Sequence, residues 1–327
     1  MAPLVVVTRP LPDPGVAALE EAGLEVWVNP VDEPLPRSEL LARVAEADAL
    51  LCMLSEPVNV ELFDAAPRLR VVSNYAVGFD NIEVAEARRR GIEVTTTPDV
   101  LTEATADLAW ALLLAAARRI GEGDRLVRSG EWTGWGPNQL VGRPVAGKTL
   151  GIVGMGAIGR AVARRARGFS MPVLYFNRNR LPEDVERGLD ATYVPLPELL
   201  ARADVVSLHA PLNDESRHLL DADALALMKR TAVLVNTGRG ALIDEAALVE
   251  ALREGRLAAA GLDVYEREPA LTPGLVDLDN VVLAPHLGSA DAEARAAMVR
   301  LCADNIASVL AGRPALTPAP GPPLTAR

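Results

Sequence analysis

Three residues in the second half of the chain carry side chains suited to proton transfer and anion binding. Each falls at or just past the end of an apolar run: Arg239 in VNTGRG, Glu268 in LDVYEREP and His286 in LAPH. A histidine gives or takes a proton near neutral pH, a carboxylate beside it stabilises the imidazolium, and an arginine grips a carboxylate with two parallel hydrogen bonds. Together they suit the reduction of a 2-keto acid. Arg239 would orient the acid's carboxylate and polarise its carbonyl, and His286, paired with Glu268, would protonate the oxygen that becomes the hydroxyl. Residue types alone leave choices open. His209 in LHAPL and His218 are the other imidazoles, and Glu266 and Asp263 lie close enough to compete with Glu268. Almost all basic residues are arginines, Lys148 and Lys229 being the only lysines, so the identity of Arg239 says less than its position after a strand and between Gly238 and Gly240.

Such a set still needs a hydride source, and the stretch from Lys148 to Arg180 supplies a place for one. It reads as an apolar strand, the glycine turn Gly154, Gly156 and Gly159, a helix opening at Ala157 and Ile158, and a second apolar strand. In a dinucleotide-binding βαβ unit the first glycine permits the turn, the second lets a pyrophosphate approach the backbone, and the third packs helix on strand. The segment after the second strand reads Asn177, Arg178, Asn179, Arg180, with no Asp or Glu to hold a ribose 2′-hydroxyl. Arg178 and Arg180 offer paired donors to a 2′-phosphate instead, which predicts NADP(H) preference with NAD(H) as the lesser cofactor.

The elements that must position these groups follow from the apolar periodicity. Leu4 to Thr8, Leu24 to Val28, Ala49 to Leu54, Arg70 to Ser73 and Ile92 to Thr95 read as strands, with helical spacing between them. After Pro98 a long Ala- and Leu-rich helix runs from Thr102 to Arg119. Further strands follow at Asp204 to His209, Ala232 to Asn236, Ala258 to Val264 and Val281 to Ala284, and a last helix spans Ala290 to Leu310. Strands alternating with helices predict α/β architecture with parallel, doubly wound sheets, and ligands then bind beyond the strands' carboxyl ends. The Pro-rich tail from Gly312 is expected to be poorly ordered.

At 327 residues the chain favours two domains. A net charge of −11 argues against general nucleic-acid or membrane-surface binding. Cys52 and Cys302 lack metal or CxxC spacing and read as buried thiols of a reducing cytoplasm. No metal site is expected. No apolar run approaches the roughly 18 residues of a membrane span. Trp132 and Trp135, in the loop GEWTGWGPNQLVG, suggest an interface between subunits.

The motifs GMGAIGR, LHAPLN, VNTGRGALIDE, AAGLDVYEREP and APHLGSA together resemble the D-isomer-specific 2-hydroxyacid dehydrogenases, in order and over nearly the whole chain. VGFDNIEV and GEWTGW are similar to the glyoxylate/hydroxypyruvate reductase branch. The resemblance implies two Rossmann-like domains: residues 1–98 with 287–327 binding substrate, and 99–286 binding the dinucleotide. It also implies a homodimer. By motif, its Arg, Glu and His fall on Arg239, Glu268 and His286, and its backbone site for the substrate carboxylate falls on Val77 and Gly78. Asp263, Gly288 and Ser289 match positions at the nicotinamide end, Ser289 also counting toward the substrate. Pro211 and Thr237 line the cofactor cleft, with His209 at its edge. One departure bears on substrate choice: mammalian-type reductases carry an aromatic residue near the position of Gln139. Other readings are a family member acting on 3-phosphoglycerate or a bulkier 2-keto acid, a formate or phosphite dehydrogenase, and a dinucleotide-sensing corepressor.

Overall fold

Short runs of Val, Leu and Ile bounded by polar turns pair into two parallel sheets. In the computed structural model, which describes residues 2–322 and Leu324, the chain divides into one unit running up to Leu101 and resuming at Ser289, and a second from Thr102 to Gly288.

In the first unit β1 (Leu4–Val7), α1 (Gly15–Glu21), β2 (Glu25–Val28), α2 (Arg37–Val44), β3 (Ala49–Cys52), α3 (Val60–Ala65), β4 (Val71–Asn74), α4 (Val84–Arg89) and β5 (Glu93–Thr95) alternate. The sheet order is β2-β1-β3-β4-β5, all parallel. β3 and β4 are buried along their whole length, as strands covered on both faces must be, whereas edge strand β2 leaves Glu25 exposed.

The second unit opens with α5 (Thr102–Ala117) and α6 (Ile120–Arg128) and continues β6 (Leu150–Val153), α7 (Ala157–Ala166), β7 (Val173–Phe176), α8 (Glu183–Leu189), β8 (Ala191–Tyr193), α9 (Leu196–Arg202), β9 (Val205–Leu208), α10 (Ala222–Leu227), β10 (Val233–Asn236), α11 (Glu245–Arg253), β11 (Ala259–Leu262) and β12 (Val281–Leu283). Its order, β12-β11-β10-β9-β6-β7-β8, reverses direction between β6 and β9. That switch point is where open α/β sheets take ligands, and the glycine turn lies beside it. The Ala-rich α5 packs across β10 and β11. A Cβ on Gly261 would lie 3.0 Å from the Leu112 carbonyl oxygen, so the missing side chain sets how closely helix and strand approach.

α12 (Ala292–Leu310) belongs to the first unit, where it packs on β4 and α1. It begins at Asp291, whose carboxylate accepts from the Glu293 and Ala294 N–H groups. Each unit is therefore a Rossmann-like, doubly wound parallel sheet, the first completed by the C-terminal helix.

The expectation of a poorly ordered tail is overturned as far as Ala319. Thr96 N–H donates to the Thr317 carbonyl at 3.1 Å, Ala319 N–H donates to Val94 at 2.8 Å, and Ala319 is buried. The buried Asn305 amide accepts from the Leu316 and Thr317 N–H groups. The extended segment thus supplies partners for edge strand β5, a demand that Pro-rich composition does not reveal. Residues 323 and 325–327 of the predicted tail lie outside the described residues. The short α4, α8 and β8 go beyond the elements expected from the sequence, as does α6, which is amphipathic but exposed and follows directly on the long helix. The helix beginning at Thr102 ends at Ala117 rather than Arg119, which has a left-handed φ of 56° and precedes α6.

Candidate active site

The turn after β6 is built for an uncrowded approach to backbone. Gly154 sits at φ +95°, and a Cβ there would lie 2.5 Å from the Ala210 nitrogen. One on Gly159 would lie 2.2 Å from the Gly154 carbonyl oxygen, whereas one on Gly156 would meet nothing within 4 Å. α7 starts at Gly156 with no side-chain cap, so its first N–H groups are left for an anion. Ala157 and Ile158 open that helix. Asn177, just past β7, accepts from the Met155 N–H at 2.6 Å and so pins the turn from the neighbouring strand. An open glycine, free helix N–H groups and a braced turn fit a dinucleotide's pyrophosphate.

The two arginines expected at the ribose differ. Arg180 is drawn back onto Glu186 by two hydrogen bonds of 2.9 and 2.8 Å and lies over the Tyr193 ring. Glu186 also accepts from the Tyr175 hydroxyl, and hydrogen bonds from Arg180 and then Tyr175 hold its carboxyl down at about 2. Arg178 instead meets Glu215 at 3.1 Å, with both side chains largely exposed. Arg180 is thus bound to Glu186 and Tyr193, whereas Arg178 is held only by an exposed pair.

His209, at the end of β9, bonds Ser207 Oγ through Nε2 at 2.8 Å and Thr237 Oγ1 through Nδ1 at 3.3 Å. Burial pushes this imidazole down to about 4, so it is neutral at physiological pH. The Pro211 carbonyl accepts from Ser216 Oγ at 2.8 Å.

Arg239, Glu268 and His286 all follow carboxyl ends of strands in the second unit. The Asn236 amide ties the Arg239 turn together, donating to the Arg239 carbonyl at 2.9 Å and accepting from the Gly238 N–H at 3.0 Å. Gly240 is pressed against the next loop, since a Cβ there would fall 1.8 Å from the Tyr265 carbonyl carbon. That loop carries Glu268. Its Oε1 accepts from the Tyr265 N–H at 2.9 Å and its Oε2 lies 2.8 Å from His286 Nδ1. Burial raises the Glu268 carboxyl, but the hydrogen bond and charge of His286 outweigh it and leave the group below its ordinary range. The competing Glu266 has its own histidine, His218, at 2.9 Å. Asp263 competes for neither. It is fully buried, its carboxylate accepts from the Leu287 and Gly288 N–H groups at 2.6 and 2.8 Å, and its carbonyl accepts from the His286 N–H at 2.9 Å. Burial lifts its carboxyl above the ordinary range despite those N–H donors. His286 takes a left-handed φ of 56° in this clasped loop.

Sequence reasoning missed the residues that hold these loops. Glu245 accepts from the Glu266 N–H and from Thr272 Oγ1, and the Tyr265 hydroxyl donates to Ala284. Asn236, directly after a strand and before Gly238, carried a turn signal that could have been read. Glu245 carried none, because its partners are more than twenty residues away.

In the first unit Val77 is exposed and Gly78 half-buried, beyond the end of β4. The Asn74 amide donates to the Gly78 carbonyl at 2.7 Å and fixes that turn. The Ser289 carbonyl accepts from Arg295 Nε at 3.0 Å. Among the described residues no cluster of His, Cys, Asp and Glu is arranged to hold a metal, and no helix is long and apolar enough to cross a membrane.

Residues 110–288 match the family model described as D-isomer specific 2-hydroxyacid dehydrogenase, NAD binding domain. The chain is 52% identical to a glyoxylate reductase of Pyrococcus horikoshii over 94% of its own length and 92% of that protein's. It is 54% identical to a glyoxylate reductase of Thermococcus kodakarensis, with the same coverage of 94% and 92%. Among solved structures it resembles a protein from Thermus thermophilus with a TM-score of 0.91 and 48% identity, covering 97% of this chain and 100% of that one. It also resembles an NADPH-dependent glyoxylate/hydroxypyruvate reductase from Sinorhizobium meliloti, solved with NADP and malonate. There the TM-score is 0.88 and the identity 34%, covering 100% of this chain and 99% of that one.

Proposed function

The chain belongs to the D-isomer specific 2-hydroxyacid dehydrogenase family, and from that premise we propose that it reduces glyoxylate and hydroxypyruvate to glycolate and D-glycerate with NADPH preferred over NADH. The observation that carries the reading is the pairing of His286 Nδ1 with Glu268 Oε2 at 2.8 Å, beside the turn after β10 that carries Arg239, in a chain half-identical to glyoxylate reductases.

When bound, the nicotinamide supplies the hydride that reaches the substrate's carbonyl carbon. Everything else falls to this chain. Arg239 grips the substrate carboxylate and polarises the neighbouring carbonyl. Glu268 holds His286 through Nδ1, so Nε2 presents the proton that the new alkoxide takes up. In oxidation the same nitrogen accepts it. Asp263 clasps Leu287 and Gly288 and keeps the His286 loop in place. In the first unit, Val77 and Gly78 carry main-chain N–H groups, and Ser289 a hydroxyl, of the kind that bind a carboxylate. The dinucleotide is held by Gly154, Gly156, Ala157, Ile158 and Gly159 at its phosphates and by Asn177 and Arg178 at the adenosine ribose. Thr237, Pro211, His209, Asp263 and Gly288 line the rest of its path. Arg180, engaged with Glu186, contributes to cofactor choice less directly than Arg178.

The exposed Ile120, Val127, Trp132, Trp135 and Val141, on α6 and the loop that follows, support a homodimer. A monomer mass in analytical ultracentrifugation would remove that part of the reading. The buried free thiols Cys52 and Cys302 fit a reducing cytoplasm.

Nicotinamide oxidation by the purified protein, with glyoxylate and hydroxypyruvate each tested against NADPH and NADH, tests the whole. Turnover with either acid, faster at limiting NADPH than NADH, is the expected result. Turnover with NADH alone keeps the chemistry and removes the cofactor preference, and silence with both acids removes the substrate.

A further inference from the structure

Arg178 does not stand alone beside the dinucleotide turn. Its guanidinium lies 3.1 Å from the carboxylate of Glu215, on the turn that follows β9, 37 residues further along the chain. We propose that Glu215 is a specificity-determining residue, which competes with a 2′-phosphate for Arg178 and so holds NADPH preference below what the arginine alone would give. The proposal rests on the cofactor reading above.

Because Arg178 is paired with Glu215, an anion that takes over its guanidinium must compete with that carboxylate. A 2′-phosphate brings close to two negative charges and must displace the carboxylate to gain a two-pronged grip. A dinucleotide with a plain 2′-hydroxyl displaces nothing and leaves the ion pair intact. The balance between these outcomes can be shifted because the pair is 74% and 73% exposed and hence weak. Arg180 offers no such freedom, being tied by two hydrogen bonds to the buried Glu186.

The backbone at Glu215 is set independently of Arg178. Asn213 Oδ1 accepts from the Glu215 and Ser216 N–H groups, both at 3.0 Å, and Ser216 Oγ donates to the Pro211 carbonyl at 2.8 Å. The far end of the turn is fastened where His218 meets Glu266 at 2.9 Å. A Glu215→Gln substitution therefore removes the charge and keeps the turn.

Calorimetric titration of NADP+ and NAD+ into the intact enzyme, its Glu215→Gln and Arg178→Ala variants and the double variant tests this. Glu215→Gln is expected to tighten NADP+ about five-fold at low salt, less at high salt, with NAD+ changing less than about two-fold. Arg178→Ala should weaken NADP+ relative to NAD+, and in its background Glu215→Gln should leave that ratio unchanged. If Arg178→Ala leaves the ratio untouched, the cofactor reading fails and the proposal with it. If Arg178→Ala moves the ratio while Glu215→Gln does not, or if Glu215→Gln tightens both nucleotides alike, Glu215 has no part in selection and Arg178 keeps its role.

Discussion

Glu268 holds His286 by one nitrogen only: its Oε2 lies 2.8 Å from Nδ1, while its Oε1 is spent on the Tyr265 N–H at 2.9 Å. With both oxygens engaged, the carboxylate orients the ring through Nδ1 and leaves Nε2 as the nitrogen that the proposed mechanism uses. Proton transfer and ring positioning are thereby divided between two residues whose removal should have different consequences.

In the proposed mechanism, replacing His286 with alanine takes away the proton donor itself. Steady-state turnover of glyoxylate should fall by about 10²- to 10⁴-fold. Dissociation constants for the dinucleotide, measured by calorimetry, should stay within about two-fold because the glycine turn is untouched. Retained turnover would exclude the acid.

Glu268→Gln keeps the shape and removes the charge. In the proposed mechanism Glu268 holds the His286 ring and does not itself pass the proton. Turnover of glyoxylate should fall, but by less than in His286→Ala, with dinucleotide affinity unchanged. A loss as large as that of His286→Ala would contradict a purely positioning role for Glu268. The Glu268 carboxyl lies below its ordinary 4.5 in the folded protein, so its contribution to stability is full above 4.5 and disappears as pH falls through the folded value.

Arg239→Lys retains the charge but not the fork. KM for the keto acid should rise by about 10-fold or more, since a single ammonium cannot make the two parallel bonds, and added salt should not restore it. Equal KM values in the two enzymes would deny Arg239 the carboxylate.

Two glycine substitutions should separate structure from binding. Gly240→Ala places a Cβ 1.8 Å from the Tyr265 carbonyl carbon and should cost about 1–3 kcal/mol or more in a denaturant titration, with kcat falling as the Glu268 loop shifts. Gly156→Ala meets nothing within 4 Å, so its Tm should hold while dinucleotide affinity drops. The reverse pattern would contradict the assignment of the open face to a phosphate.

His209 makes stability depend on pH in a defined window. Its folded value, about 4, lies below the ordinary 6.5, so between them the unfolded chain binds a proton that the folded one does not. The stabilisation is complete above about 6.5 and is lost as pH falls toward about 4. Tm measured from pH 7 to pH 4.5 should fall less steeply in His209→Gln than in the parent, and parallel slopes would show that His209 is not the linked group.

Much of this protein is written in local sequence. Strands such as Ala49–Cys52 and Val233–Asn236 announce themselves because every residue is buried, and helix Thr102–Ala117 does so by its length and Ala content. The glycine turn is legible because a phosphate-binding turn constrains three neighbouring positions at once, and the order of motifs was enough to expect Arg239, Glu268 and His286 together. What the chain did not spell out are partnerships across sequence distance. Residue types left Glu266 and Glu268 in competition until family resemblance chose between them, and the folded chain gives each its own histidine, His218 and His286. Arg178 and Arg180 read alike until one is found on Glu186 and the other on Glu215. A Pro-rich tail fastens onto β5 because an edge strand there has N–H and C=O groups to satisfy. Periodicity and turn chemistry act within a few residues and are readable in one dimension. The pairing of buried or charged groups is settled by which strands and loops the topology brings side by side, and only the tertiary structure decides that.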